Sequence, residues 1–349
     1  MQAVFLVTIP FFALVLAGFW AAWRGILPLN AIAGLNAYVL FFALPCLLFR
    51  FGASTPIATL LDPVTMVVYA CCALVVVGFT LMLTLGGRVG WSDASLGALV
   101  AAFPNTGFMG VPLLVALFGP GAAGVVIQTI MIDMLLTTSI CVALSRWGQG
   151  QDASVGQSAL NALKGVFSNP MPWAILAGIL AASVQTTGVA AWLLPYEAII
   201  APAYKAMSLL ADSASPVALF TIGAVLARAQ RQAQTTALAP TGGATPGTTT
   251  QGMNLGKRLW GQALVVALIK LFLHPFLVLV AAMVAKALGF ALNPFALMVL
   301  IAAAALPSAS NVSLLAERYG ADNGRIARII LLSTVIAFFT FSGLVAALK

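Results

Sequence analysis

Two short polar segments interrupt otherwise apolar sequence and carry the side chains best suited to holding a ligand. The first reads Phe103-Pro104-Asn105-Thr106-Gly107-Phe108-Met109-Gly110-Val111-Pro112. The second reads Leu306-Pro307-Ser308-Ala309-Ser310-Asn311-Val312-Ser313. A proline removes a backbone donor and disrupts the turn before it. A half-helix restarting after it presents free N–H groups and the positive end of its dipole, which attract an anion. The Asn105 and Asn311 amides add side-chain donors, with the Thr106, Ser308 and Ser310 hydroxyls behind them. Gly107 and Gly110 let the backbone approach a ligand closely. The candidate substrate-binding residues are therefore Pro104, Asn105, Thr106, Gly107, Gly110, Pro307, Ser308, Ser310 and Asn311. The ligand they suit is a small organic anion, a mono- or dicarboxylate, held between the breaks by neutral donors so that it can leave as well as enter. One such break would pass as an ordinary proline kink; two at matching places do not.

Four ionisable residues also fall within apolar runs: Asp133, Asp212, Lys270 and His274. An ionised group at membrane depth costs a few kcal/mol, so each is a candidate for coupling or charge balance. Lys270 and His274 are four apart and share a helix face. Structural pairing, or reach to the interface, would also account for them. Two buried carboxylates would suit an intramembrane aspartyl protease, but no Gly-x-Gly-Asp surrounds Asp212, and Ser308 lacks a serine-protease context. There is no phosphate loop and no zinc pattern. The cysteines Cys46, Cys71, Cys72 and Cys141 sit in apolar runs without C-x-x-C spacing and read as packing residues. No catalytic residue, cofactor or metal is expected. No carboxylate cluster suggests a sodium site, so proton coupling or potential-driven movement is favoured.

The elements that must position these residues are membrane helices. Hydrophobic residues make up 62% and charged residues 7% of 349, against about 25% charged in a soluble domain. Such a chain must face lipid over most of its surface. Its apolar runs are continuous rather than alternating, which points to helices and not a β-barrel. The net charge of +8 is scattered over loops, with no basic stripe, so no nucleic-acid partner is expected. Ten apolar stretches approach the length of a span. They run over 2–23, 31–50, 63–85, 93–118 and 121–145, then 171–187, 200–227, 262–286, 294–317 and 326–348. The start lacks the positive region of a signal peptide, so the first span is expected in the mature protein. With both termini outside, eleven Lys and Arg fall on the cytoplasmic side and four outside, as the positive-inside bias requires.

The chain thus divides into a first five-helix unit (1–146), a connecting loop (147–170) and a second five-helix unit (171–349). The second carries a low-complexity stretch, 229–258, expected to be a flexible cytoplasmic linker. The two breaks occupy the fourth span of each half, and each is followed by an apolar run ending in Gly, at Phe118-Gly119 and Tyr319-Gly320. Leu44-Pro45-Cys46-Leu47-Leu48-Phe49 matches Ser215-Pro216-Val217-Ala218-Leu219-Phe220 in the second spans. Five spans per half force the halves to insert in opposite senses. The expected fold is an all-α membrane protein of ten transmembrane helices in two inverted five-helix repeats, with broken crossing helices 4 and 9. Inverted repeats with discontinuous helices in matching positions mark secondary transporters. An anion channel or a membrane receptor is the alternative.

The same residues resemble the auxin efflux carrier family. The match runs through Leu35-Asn36, Leu44-Pro45, the block from Phe103 to Pro112, Asn169-Pro170, Ser215 to Gly223, Leu306 to Asn311 and Leu315 to Gly320. The resemblance implies a bile-acid or sodium/proton antiporter-like fold. Spans 1, 2, 6 and 7 would form a scaffold, and spans 3–5 and 8–10 a domain that moves like an elevator. It implies that Asn105 and Asn311 flank the anion, with malonate or malate as first candidates and indole acetate less favoured. It also implies a bacterial inner-membrane location and a homodimer through the scaffold helices. The central loop is short, unlike the long hydrophilic loop of many plant members.

Overall fold

The computed structural model describes residues 2–86, 89–147, 170–185, 197–238, 249–290 and 292–348. Among them there is no β-strand, and seven helices are long and apolar enough to cross a membrane. In chain order, the helices that matter here are α1 (Gln2–Trp23), α2 (Ala31–Ser54), α3 (Pro63–Thr84), α4 (Trp91–Ala102), α5 (Thr106–Phe118), α6 (Ala122–Trp147), α7 (Pro170–Gln185) and α8 (Glu197–Leu238). They continue with α9 (Leu259–Ala287), α10 (Pro294–Ala304), α11 (Val312–Arg318) and α12 (Asn323–Leu348). Seven expected spans fall on the long helices. The sixth falls on the shorter α7. The fourth falls on α4 with α5, and the ninth on α10 with α11.

Local chemistry sets the boundaries. Asp62 starts α3 by accepting from the Val64 N–H at 3.2 Å, with Pro63 at the first helical position. Asn293 does the same for α10, accepting from the Phe295 N–H at 2.9 Å ahead of Pro294. Helix α4 stops because Pro104 biases Phe103 away from helical backbone; Phe103 sits extended, with φ −87° and ψ 105°. Helix α11 is followed by Gly320 at φ 67°, a left-handed cap, and α5 by Gly119 at φ 89° and ψ 175°, an extended conformation open chiefly to glycine. Helix α8 continues to Leu238, into the stretch expected to be a linker, because Ala229 to Gln234 holds good helix formers. The helix that contains α9 begins at Thr249. Residues 239–248 and most of the loop 147–170 lie outside the described residues.

Two helix pairs approach closely through glycine. In the pair α1 and α8, a Cβ on Gly18 would strike the Phe220 carbonyl, and one on Gly223 the Val15 carbonyl. In the pair α2 and α7, a Cβ on Gly178 would strike the Phe49 carbonyl, and one on Gly52 would lie 2.8 Å from the Ile175 carbonyl oxygen. Small residues allow this contact, and dispersion and carbonyl packing hold it without help from hydrophobic burial. Helix α8 also packs on α2, so α1, α2, α7 and α8 form one contiguous group. Helix α3 packs on α4, α6 and α9, α10 on α6 and α9, and α12 on α9, which builds a second group. Large side chains such as Leu16, Phe41, Met82, Phe272, Met283 and Phe339 point outward, as a surface solvated by lipid tails permits.

Candidate functional site

The two polar segments meet. Phe103–Asn105 and Pro307–Ala309 lie antiparallel as a two-strand contact at the gap between α4 and α5 and the gap between α10 and α11. The Asn105 N–H donates to the Pro307 carbonyl at 2.8 Å, and the Ala309 N–H to the Phe103 carbonyl at 3.0 Å. The Thr106 N–H donates to the Pro104 carbonyl at 2.7 Å, and the Ser308 N–H to Ser333 Oγ at 3.1 Å. Backbone groups that helix geometry leaves orphaned at membrane depth must find partners inside the protein, and here each break satisfies the other. This corrects one expectation. The first N–H groups after Pro104 and Pro307 are already bonded and are not free to hold a carboxylate.

The side chains remain. A small, partly open pocket abuts the crossing, lined by Leu44, Phe103, Pro104, Asn105, Gly107, Phe108, Ile130, Met134, Met171, Ala309 and Asn311. The Asn105 amide caps no helix and makes no hydrogen bond among the described residues. Asn311 Oδ1 is buried without a partner. A buried amide oxygen left unpaired costs about 1–3 kcal/mol; as an acceptor it would suit a donor such as water, and it is the amide NH2 groups of Asn105 and Asn311 that could donate to a carboxylate. The other lining side chains are apolar, and none is cationic.

The remaining expected residues take different places. Pro307 contributes its carbonyl to the crossing, while Thr106 is fully buried and its hydroxyl turns to the Pro104 carbonyl. Ser308 Oγ is buried without a partner, and Ser310 is buried with its carbonyl accepting from Ser313; none of these four lines the cavity. Gly107 lines the cavity. Gly110 instead makes room for Leu306, whose Cδ1 would lie 2.7 Å from an added Cβ, so this glycine lets the two breaks pack together.

Three of the four intramembrane charges converge behind the cavity. Tyr69 of α3 donates its hydroxyl to Asp133 Oδ2 at 2.7 Å, and Thr137 donates to Oδ1 at 3.3 Å. Lys270 Nζ of α9 lies 3.2 Å from His274 Nδ1 and donates to the Ala304 carbonyl, the last of α10, at 2.6 Å. The Tyr69 and His274 rings stand 5.7 Å apart and join the two pairs. Asp212 does not belong with them. Its side chain is 65% exposed and pairs with Arg50 Nη1 at 2.6 Å. With their carboxylates in separate settings and separate partners, Asp133 and Asp212 do not form a protease dyad. Sequence reasoning missed Tyr69, since tyrosine is common in membrane helices. It also missed the distant wall residues Ile130, Met134 and Met171, whose spacing carries no polar signal.

Comparison with known proteins identifies the kind of protein the chain resembles. The chain matches the Mem_trans family, described as membrane transport protein, over residues 3–345. It is 25% identical over 344 residues to a Rhizobium meliloti (strain 1021) protein named "Putative malonate transporter", covering 98% of this chain and 94% of that one. It is 28% identical over 133 residues to auxin efflux carrier component 3a of Oryza sativa subsp. japonica, covering 35% of this chain and 20% of the relative. It is 26% identical over 140 residues to auxin efflux carrier component 4 of Arabidopsis thaliana, covering 38% and 21%. These relatives are transporters, not enzymes.

Proposed function

We propose that this chain, which belongs to the Mem_trans (auxin efflux carrier) family of membrane transport proteins, carries a small organic anion through the membrane, binding it at the crossing between Asn105 and Asn311. The observation that carries the reading is the pair of amides without hydrogen-bond partners among the described residues, in an otherwise apolar cavity. A carboxylate needs donors where it sits, and the two amides supply them at one end. Leu44, Phe103, Phe108, Ile130, Met134 and Met171 then offer a hydrocarbon wall to the rest of the ligand. A monocarboxylate with an apolar body fits that asymmetry better than malonate or malate, whose second carboxylate would face apolar side chains and be desolvated without a partner.

The ten-span reading in two inverted repeats draws support from the glycine contacts. Gly18 with Val15 and Gly223 with Phe220 repeat as Gly178 with Ile175 and Gly52 with Phe49, each pair three residues apart. That correspondence sets Phe220 against Phe49 and Pro216 against Pro45, the register of the matching second spans in the sequence. Leu44 and Met171 reach the cavity from the α1–α2–α7–α8 group, and the other lining residues come from the second group. A cavity at such a boundary suits an elevator-like carrier whose second group moves. The charge distribution favours both termini outside and the stretch 229–258 on the cytoplasmic side, and the bacterial relative fits an inner-membrane location. The outward apolar faces of the first group leave room for a homodimer.

The test is a thermal-shift and binding screen of butyrate, benzoate, malonate and malate on purified protein, followed by counterflow in proteoliposomes. Saturable counterflow of the tightest binder is expected. Linear, non-exchanging flux would indicate a channel. Unchanged affinity in folded Asn105→Ala and Asn311→Ala variants would remove the crossing as the site.

A further inference from the structure

We infer that Asp133, Tyr69, His274 and Lys270 form a proton site that loads together with the anion, so that one proton travels with each monocarboxylate. The inference rests on reading the crossing as the anion site. All four side chains are at most 1% exposed, and they come from three different helices. Every other helix packed here lacks ionisable groups where it faces them. Residues 94–102 of α4, 294–304 of α10 and 329–348 of α12 contain none. The remaining titratable neighbours are the buried thiols Cys72 on α3 and Cys141 on α6.

The acid and the base are not a closed ion pair. Among the described residues three ion pairs form, and neither Asp133 nor Lys270 takes part. Tyr69 and Thr137 satisfy the carboxylate, and the Ala304 carbonyl and His274 Nδ1 satisfy the ammonium. His274 Nε2 is buried without any partner. Each charge is therefore held separately, and either can change without tearing a shared contact. With Asp133 ionised and Lys270 protonated, the cluster is neutral.

Position makes this charge state matter to the ligand. Ile130 and Met134 flank Asp133 along α6, and both line the cavity. Lys270 holds the carbonyl end of α10, and the chain running on from that end supplies Ala309 and Asn311 to the same cavity. An anion entering the cavity thus meets an ionised carboxylate one layer away in a poorly screening medium. Protonating Asp133 removes that repulsion and leaves Lys270 as the counter-charge, so the loaded carrier is neutral overall. The balance is simple: a proton from one aqueous side converts the Asp133 carboxylate to the acid, and release to the other side restores it. Linkage then requires that anion binding draw in a proton, and a proton draw in the anion.

The test measures proton uptake on binding. Full-length protein in detergent and weak buffer is titrated with butyrate or benzoate, whichever stabilises it more in the screen, while an indicator dye follows free protons. Butyrate is fully ionised at neutral pH, so uptake reports the protein. Near one proton per bound anion is expected for wild type and for Asp133→Glu, and none for Asp133→Asn, which should still bind. Binding by wild type without uptake would overturn the proton site, as would undiminished uptake in Asp133→Asn. If Asp133→Asn does not fold, the wild-type and Asp133→Glu titrations still decide. If neither anion binds wild type, the crossing reading fails instead, and calorimetric heats that show no saturation make that outcome distinct.

Discussion

Asn311→Ala separates a ligand-holding amide from a structural one, because the two roles move stability in opposite directions. Asn311 Oδ1 is buried with no hydrogen-bond partner. Leaving such an acceptor unsatisfied costs about 1–3 kcal/mol, and alanine removes that cost. The ligand-free variant should therefore be as stable as wild type or more so, whereas an amide that stitches helices together would cost stability when removed. Binding should respond the other way. A hydrogen bond to a charged group contributes about 1.5–3 kcal/mol, or roughly 10- to 100-fold in affinity. A ligand at about 100 times its Kd stabilises the wild type by about 2.7 kcal/mol. At the same concentration the variant would gain only about 0.4–1.4 kcal/mol. Melting curves with and without carboxylate, read in the same detergent, measure both quantities. A variant that melts well below wild type without ligand, yet keeps the full ligand-induced gain, would refute the assignment.

The rest of the molecule offers sharper tests of packing and charge. Lys270→Met deprives the Ala304 carbonyl of its donor and Asp133 of the buried positive charge in its cluster. It should lose about 1–3 kcal/mol through the carbonyl left unpaired, and adding Asp133→Asn in a double-mutant cycle measures how far the two charges are coupled. Gly223→Ala puts a methyl group onto the Val15 carbonyl and should cost about 1–3 kcal/mol by forcing α1 and α8 apart. Gly78→Ala has open space around it in α3 and should be neutral or stabilising by about 0.5–1 kcal/mol; equal effects at the two glycines would refute the close-packing account. Asp62→Ala removes the side-chain acceptor at the start of α3 and should lower the unfolding free energy by about 1 kcal/mol, measurable by chemical denaturation in detergent.

The sequence by itself determined that this is a helical membrane protein, because 62% hydrophobic and 7% charged residues leave no water-compatible surface. It also located the breaks. Proline acts on the residue before it and glycine on its own φ, so the stops at Phe103, Gly119 and Gly320 were legible locally. Tertiary structure decided what those breaks do. Pairing Asn105 with Pro307, and Ala309 with Phe103, consumes backbone donors that a helix end viewed alone would leave for a ligand. That pairing is why the proposed site relies on the Asn105 and Asn311 amide side chains. Tertiary structure also sorted the buried charges. Asp133, Lys270 and Asp212 look alike in apolar sequence, and local patterning cannot distinguish a residue facing lipid from one facing protein. Only the packing of α3, α6 and α9 brings Tyr69 to Asp133 and Lys270 to the end of α10, while the approach of α2 and α8 leaves Asp212 outside, paired with Arg50. A contact between residues far apart in the chain has no local signature, since it depends on which helices become neighbours.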